Sequence, residues 1–293
     1  MGRPRNTGRA LAAIVIAGFA WSCERSAPPA PPPAPAVAAA PAPAAAPTPA
    51  NAKPSKPLLE QDLAYGETKS RNLTGFLAMP ADAAEPLPAL IVIHDRWGLN
   101  DDVKTLTRRL ASEGYIALAV DLYGGVTAAT PAEAEKLMTD VYGDPESARG
   151  NLRQAYEYLE KYAFAPRIGS IGWSFGGGWA LETAFLLPDQ LDAMVSYYGP
   201  IVTDVAKLRP LAVPLLGLYG AADQTIPAKD LIAYRELLTG QLHKTARVIL
   251  YPNAKHAFAS AGSPDYSAEA SAQAWKEATA FLSENLKLKA ASR

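Results

Sequence analysis

The chain has 293 residues, of which 49% are hydrophobic and 19% charged, and its formal net charge is −1. Those values describe an ordinary globular protein with ample core, divided into one large domain or two small ones. A near-neutral balance without a basic block argues against nucleic acid as a partner.

Residues 1–22 are predicted to be a targeting segment and not part of the fold. Arg3, Arg5 and Arg9 make a cationic start, and "ALAAIVIAGFAW" follows as a 12-residue apolar stretch. A helix that short cannot span a hydrocarbon core, which needs about 20 residues, so the pattern reads as a secretory signal. Gly18-Phe19-Ala20 offers a small-x-small cleavage site, while "AWSC" resembles the lipobox of bacterial lipoproteins. Cys23 is the single cysteine, which rules out an intrachain disulfide or a zinc site built from cysteines. Lipidation of Cys23 is the favoured reading, with a leftover thiol as the alternative. The expected location is the periplasm or cell surface of a bacterium, with the protein membrane-tethered through this anchor.

Residues 23–57 are expected to form a linker. The stretch 27–57 holds 12 of the 26 prolines, and at that density helix is blocked even though alanine favours it. An extended polyproline-like chain of this length reaches on the order of 100 Å.

From residue 58 to 293 the texture is that of one globular domain. Residues 62–79 are expected to form an antiparallel hairpin at a sheet edge. "ALIVIH" (89–94) is nearly all apolar, as a strand buried on both faces should be. Residues 103–114 have helical spacing through Val103, Leu106 and Leu110, with Gly114 as a stop. Then come a strand at 115–124, an amphipathic helix at 145–162, a strand at 167–173 and a helix at 176–187. Strands at 191–199 and 214–220, a helix at 228–240, a strand at 246–251 and a closing helix at 267–286 complete the chain. Alternation of strands and helices implies an α/β fold, its mostly parallel central sheet covered by helices on both faces. Function in such a sheet gathers at the C-terminal ends of the strands.

Gly172-Trp173-Ser174-Phe175-Gly176 fits G-x-S-x-G between a predicted strand and a predicted helix, the context that the motif requires. The plain alternative is a tight turn with helix-packing glycines. A serine nucleophile needs a base, and there are three histidines. His94 ends a strand and is expected to be satisfied by hydrogen bonds, and His243 reads as solvated surface. His256, in a polar loop after the last strand, is the candidate base. Asp223 directly follows the strand "PLLGLYG". It is either a turn-capping aspartate or the acid that orients the base. Ser174, Asp223 and His256 run in the α/β-hydrolase order of nucleophile, acid and base. An oxyanion would be held by the backbone N–H of Phe175 and by an N–H from the loop after "ALIVIH", assigned to Arg96.

The globular part resembles the dienelactone hydrolase family, α/β-hydrolases without a large lid. The likeness is carried by "VIHDRWGLN", "LASEGYIALAVDLYGG", "GWSFGG", "SYYG", "LYGAADQTIP" and "HAFAS". It implies a triad of Ser174, Asp223 and His256, an acidic position at Asp95, and a pocket lined by Trp97, Tyr123 and Tyr198. Family namesakes have cysteine where this chain has Ser174, glutamate where it has Asp95, and a carboxylate-gripping arginine at the position of Ser260. A neutral or weakly charged ester is therefore expected in preference to an anionic lactone. The implied activity is carboxylic ester or lactone hydrolysis, with a small-molecule substrate and no cofactor or metal. A peptidase on the same fold and a non-catalytic surface-tethered binding protein are the alternatives. Asp121 and Glu182 are expected to be an exposed strand-end acid and a helix-surface acid.

Overall fold

Eight strands form one mixed sheet in the order β1-β2-β4-β3-β5-β6-β7-β8, in a computed structural model that describes residues 57–68 and 71–287. The leader, Cys23 and all of the linker but Pro57 lie outside those residues. β1 (Leu58–Glu67) and β2 (Asn72–Pro80) are the expected antiparallel edge hairpin. β2 also runs antiparallel to β4 (Ile116–Val120). β3 (Ala89–Ile93), β5 (Ile168–Trp173), β6 (Ala193–Tyr197), β7 (Leu215–Gly220) and β8 (Ala246–Tyr251) extend the sheet in parallel from β4.

Every residue of β3 and β4 is buried, which is why both segments are apolar without alternation. The helices that cover them are set by their ends as much as by their faces. α1 (Asp101–Ser112) starts where the Asn100 side chain accepts from the Val103 amide, and it buries Val103, Thr107, Leu110 and Ala111. That spacing leaves its polar side free for ion pairs from Lys104 to Asp62 and Arg108 to Glu60 on β1.

α2 (Pro131–Gly143) is absent from the sequence-based expectation. It buries only Ala134, so its apolar stripe is weak, yet its start carries a capping box between Thr130 and Glu133. α3 (Pro145–Lys161) and α4 (Phe175–Leu186) follow as expected. α5 (Val205–Leu208) is a single short turn after β6. α6 (Ala228–Glu236) passes into a π turn over Leu237–Gln241, where the helix was expected to continue to Gly240. α7 (Ala268–Leu286) closes the fold.

Neighbouring residues of β5 identify the two layers. Ser170 Oγ donates to the Ala180 carbonyl of α4 at 3.1 Å, whereas the bare side of Gly169 abuts Leu286 of α7. Successive strand residues point to opposite faces, so α4 and α7 sandwich the sheet. α1 lies with α7, joined by Arg109 stacked 3.7 Å over the Trp275 ring.

Two of the glycines show how closely α4 approaches the sheet. A Cβ at Gly176 would fall 2.3 Å from the carbonyl oxygens of both Ile93 and His94, and one at Gly172 would fall 2.1 Å from the Gly176 oxygen. These are backbone contacts with nothing flexible to yield. Gly178, by contrast, would meet only the Pro200 ring, at 3.2 Å. Gly176→Ala is therefore expected to destabilise by at least about 1–3 kcal/mol. Gly178→Ala should stay within about 1 kcal/mol, helped by better helix propensity. Urea unfolding of the two variants checks the contrast; equal losses would contradict it.

Candidate active site

The end of β5 turns directly into α4, and Ser174 occupies the corner with φ 51° and ψ −114°. A non-glycine residue there costs on the order of 1–3 kcal/mol and persists only where its surroundings hold it. The Ser174 amide donates to the Tyr197 carbonyl at 2.9 Å, and its own carbonyl accepts from Gly178 at 3.2 Å. The close approach of α4 and the strained serine corner occur at the same turn.

Asp223 follows β7, and His256 lies in the loop after β8. Ser174 Oγ is 3.1 Å from His256 Nε2, and His256 Nδ1 is 2.8 Å from Asp223 Oδ2. The Asp223 side chain is wholly buried while that of His256 is 29% exposed. Asp223 Oδ1 accepts from the amides of Thr225 at 2.7 Å and Ile226 at 3.2 Å. Asp223 thus caps its own turn with one oxygen and meets His256 with the other. An ionised carboxylate accepts only, so Nδ1 must carry the hydrogen and Nε2 must present its lone pair to the serine hydroxyl. Edge-on packing of Tyr198 at 5.2 Å between ring centroids braces the imidazole, and Phe258 braces Tyr198 at 5.4 Å.

Phe175 begins α4 at its N-terminus, where amides lack intrahelical acceptors. Among the described residues neither the Phe175 nor the Arg96 amide has a hydrogen-bond acceptor.

The β3 end supplies the other side of the site. Asp95 Oδ1 accepts from the Trp97 amide at 2.9 Å, and the Arg96 guanidinium stacks 4.6 Å over the Trp97 ring. The carboxylate hydrogen-bonds the backbone of its own loop and not Ser174. Tyr123 is buried, donates from its hydroxyl to the Arg96 carbonyl at 3.3 Å, and packs edge-on to His94. Tyr198 is buried as well. Burial raises both phenols, and the nearby Asp95 charge adds to the effect.

Burial also pushes the Asp95 carboxyl up to about 6, partly offset by the Trp97 amide. The native state therefore binds its proton more tightly than the unfolded chain. Stability contributed by this group is present below about pH 4 and lost as pH rises to about 6, on the order of 2 kcal/mol in all. Measured against Asp95→Asn, the wild type should lose this much stability between pH 4 and 7 in urea titrations. A flat difference would contradict the burial of the charge.

Two expectations about other acids and bases separate here. His94 is fully buried and satisfied, and His243 is exposed in a loop. Asp121, expected to be exposed, is buried instead. Its carboxylate collects the amides of Tyr123 and Gly125, and Asn151 donates to its carbonyl at 2.9 Å. A strand-end acid whose own loop turns back over it gives no such sign in composition. Glu182 is part-buried and paired with Arg149. Two clefts, of about 210 Å³ beside Arg149 and Lys207 and about 240 Å³ beside Lys104 and Asp121, both lie off the triad.

Residues 73–286 match the sequence profile of the dienelactone hydrolase family. The chain belongs to that family. A carboxymethylenebutenolidase homologue of Methylorubrum extorquens is 32% identical over 220 residues, covering 70% of this chain and 74% of the relative. Another, from Saccharolobus solfataricus, is 29% identical over 263 residues, covering 76% and 98%. A crystal structure of a dienelactone hydrolase homologue from Klebsiella pneumoniae superposes with a TM-score of 0.70 at 26% identity, covering 78% of this chain and all of the other. This dienelactone hydrolase family member is a hydrolase for ester or lactone bonds on the α/β-hydrolase fold.

Proposed function

We propose that the protein is an exported, lipid-tethered serine esterase that works through an acyl-enzyme. The observation that carries the reading is the continuous path from Ser174 Oγ through His256 to Asp223, at 3.1 and 2.8 Å. In this mechanism His256 Nε2 takes the hydroxyl proton as Ser174 attacks the substrate carbonyl. Asp223 stabilises the imidazolium, and the amides of Phe175 and Arg96 hold the tetrahedral oxyanion. Collapse expels the alcohol, protonated by His256, and leaves an ester on Ser174. Water, deprotonated by the same nitrogen, then releases the acid.

With Ser260 in place of a carboxylate-gripping arginine, neutral or weakly charged esters are the substrates of choice. Steady-state kcat/KM over a panel of neutral esters, anionic lactones and short peptides tests this directly. Neutral esters should lead; preferential turnover of peptides would replace the esterase reading with the peptidase one. No turnover of any of them would favour the binding-protein alternative.

The tether is supported by the cationic, apolar start and by Cys23 ahead of the proline-rich stretch. Cys23→Ala should release the protein from the membrane fraction. Retention there would overturn lipidation.

A further inference from the structure

His94 is among the buried titratable groups that the proposed steps leave unused. It is fully buried at the end of β3, under the edge of Tyr123 at 4.6 Å between centroids and stacked on Phe175 at 5.8 Å. Its ring nitrogens are both engaged. Nε2 lies 3.2 Å from the Leu122 amide. An amide can only donate, so Nε2 must be the bare nitrogen. Nδ1 therefore carries the hydrogen and donates to the Asp95 carbonyl at 2.7 Å. Burial holds the imidazole below its ordinary pKa, against a smaller opposing pull from the Asp95 carbonyl and the Asp121 charge. The neutral Nδ1–H tautomer is the form that this environment selects.

The consequence lies one bond further on. The Asp95 carbonyl belongs to the same planar, trans peptide as the Arg96 N–H, so the two point in opposite directions. Gripping the oxygen from inside the fold fixes the direction of the hydrogen. The next peptide is pinned as well, its carbonyl by the Tyr123 hydroxyl at 3.3 Å and its N–H by Asp95 Oδ1 at 2.9 Å. Two successive peptides are thus clamped by side chains, the first also by the Gly98 amide at 3.4 Å from the Asp95 carbonyl, while the N–H of that first peptide, on Arg96, has no acceptor among the described residues.

We propose that His94 is a positioning residue for the oxyanion hole: its Nδ1–H grips the Asp95 carbonyl and so aims the Arg96 N–H at the substrate's developing oxyanion. The inference rests on the reading of Arg96 as an oxyanion donor. A histidine that merely filled the core would need its bulk but not its tautomer.

The test compares wild type, His94→Gln and His94→Asn on an oxygen ester and its matched thionoester, whose sulfur accepts hydrogen bonds poorly. A glutamine carbonyl can still accept from the Leu122 amide but leaves the Asp95 oxygen only the longer bond from the Gly98 amide, at 3.4 Å. An asparagine amide places a donor near the position of Nδ1. His94→Gln should lose about 10- to 100-fold in kcat on the oxygen ester with little change in KM. Its thionoester rate should barely move, so the oxygen-to-thiono ratio falls by the same factor. His94→Asn should recover most of that ratio. A folded His94→Gln enzyme that keeps the wild-type ratio overturns the inference and leaves the oxyanion hole intact. A wild type without preference for the oxygen ester overturns the oxyanion reading and the inference with it. Nitrogen-15 NMR of the wild type reads the tautomer without any variant. A hydrogen on Nδ1 is expected, and a hydrogen on Nε2 overturns the proposal.

Discussion

Ser174→Ala should lower kcat on an activated ester by about 10⁴-fold or more while leaving the fold unchanged. The hydroxyl is the atom at 3.1 Å from His256 Nε2, and alanine offers nothing to attack with. The bonds that hold the corner, from the Ser174 amide to Tyr197 and from Gly178 to the Ser174 carbonyl, are backbone bonds and survive the change. Circular dichroism and urea unfolding should therefore match the wild type. Some acceleration over water should remain, because the oxyanion amides are untouched. Turnover unchanged in purified Ser174→Ala would remove the serine from the mechanism.

The second large effect is expected from Asp223→Asn, about 10⁴-fold in kcat. Both oxygens of Asp223 accept hydrogen bonds, one from His256 and the other from the amides of Thr225 and Ile226. An asparagine must keep its oxygen toward the two amides, since turning the NH₂ that way would set donor against donor. Its NH₂ then faces His256 Nδ1 and forces the hydrogen onto Nε2, where it meets the Ser174 hydroxyl. The base is occupied before the reaction begins. Activity should recover at alkaline pH only to the extent that another base replaces His256. A loss below about tenfold would mean that the carboxylate does not set the tautomer.

Much of this was legible in the order of residues. Unbroken apolar runs identified β3 and β4 because both faces of those strands are covered. The meeting of Ser174, Asp223 and His256 could be read because a parallel sheet puts each strand's exit on one rim, so the three needed only to follow strands. Other parts depend on contacts that sequence pattern does not encode. α2 presents almost no buried face, so apolar periodicity is silent there, and only its start is marked, by Pro131 and the pairing of Thr130 with Glu133. The π turn at 237–241 depends on a bond from the Leu242 amide to the Leu237 carbonyl, five residues back, which periodicity cannot separate from ordinary helix. Asp121 looked exposed because nothing in its neighbours tells that Tyr123 and Gly125 fold their amides back onto it. His94 was expected to be satisfied by hydrogen bonds, and it is. Which nitrogen meets which partner, and hence what the residue could do, required the placement of Leu122 beside it.

The most direct test of the central claim is the intact mass of the wild-type enzyme caught while turning over a slowly released ester. The account predicts a population heavier by one acyl group, with peptide mapping placing that group on Ser174. Multiple turnovers with no acylated species under rapid acid quench, or an acyl group on any other residue, would contradict it.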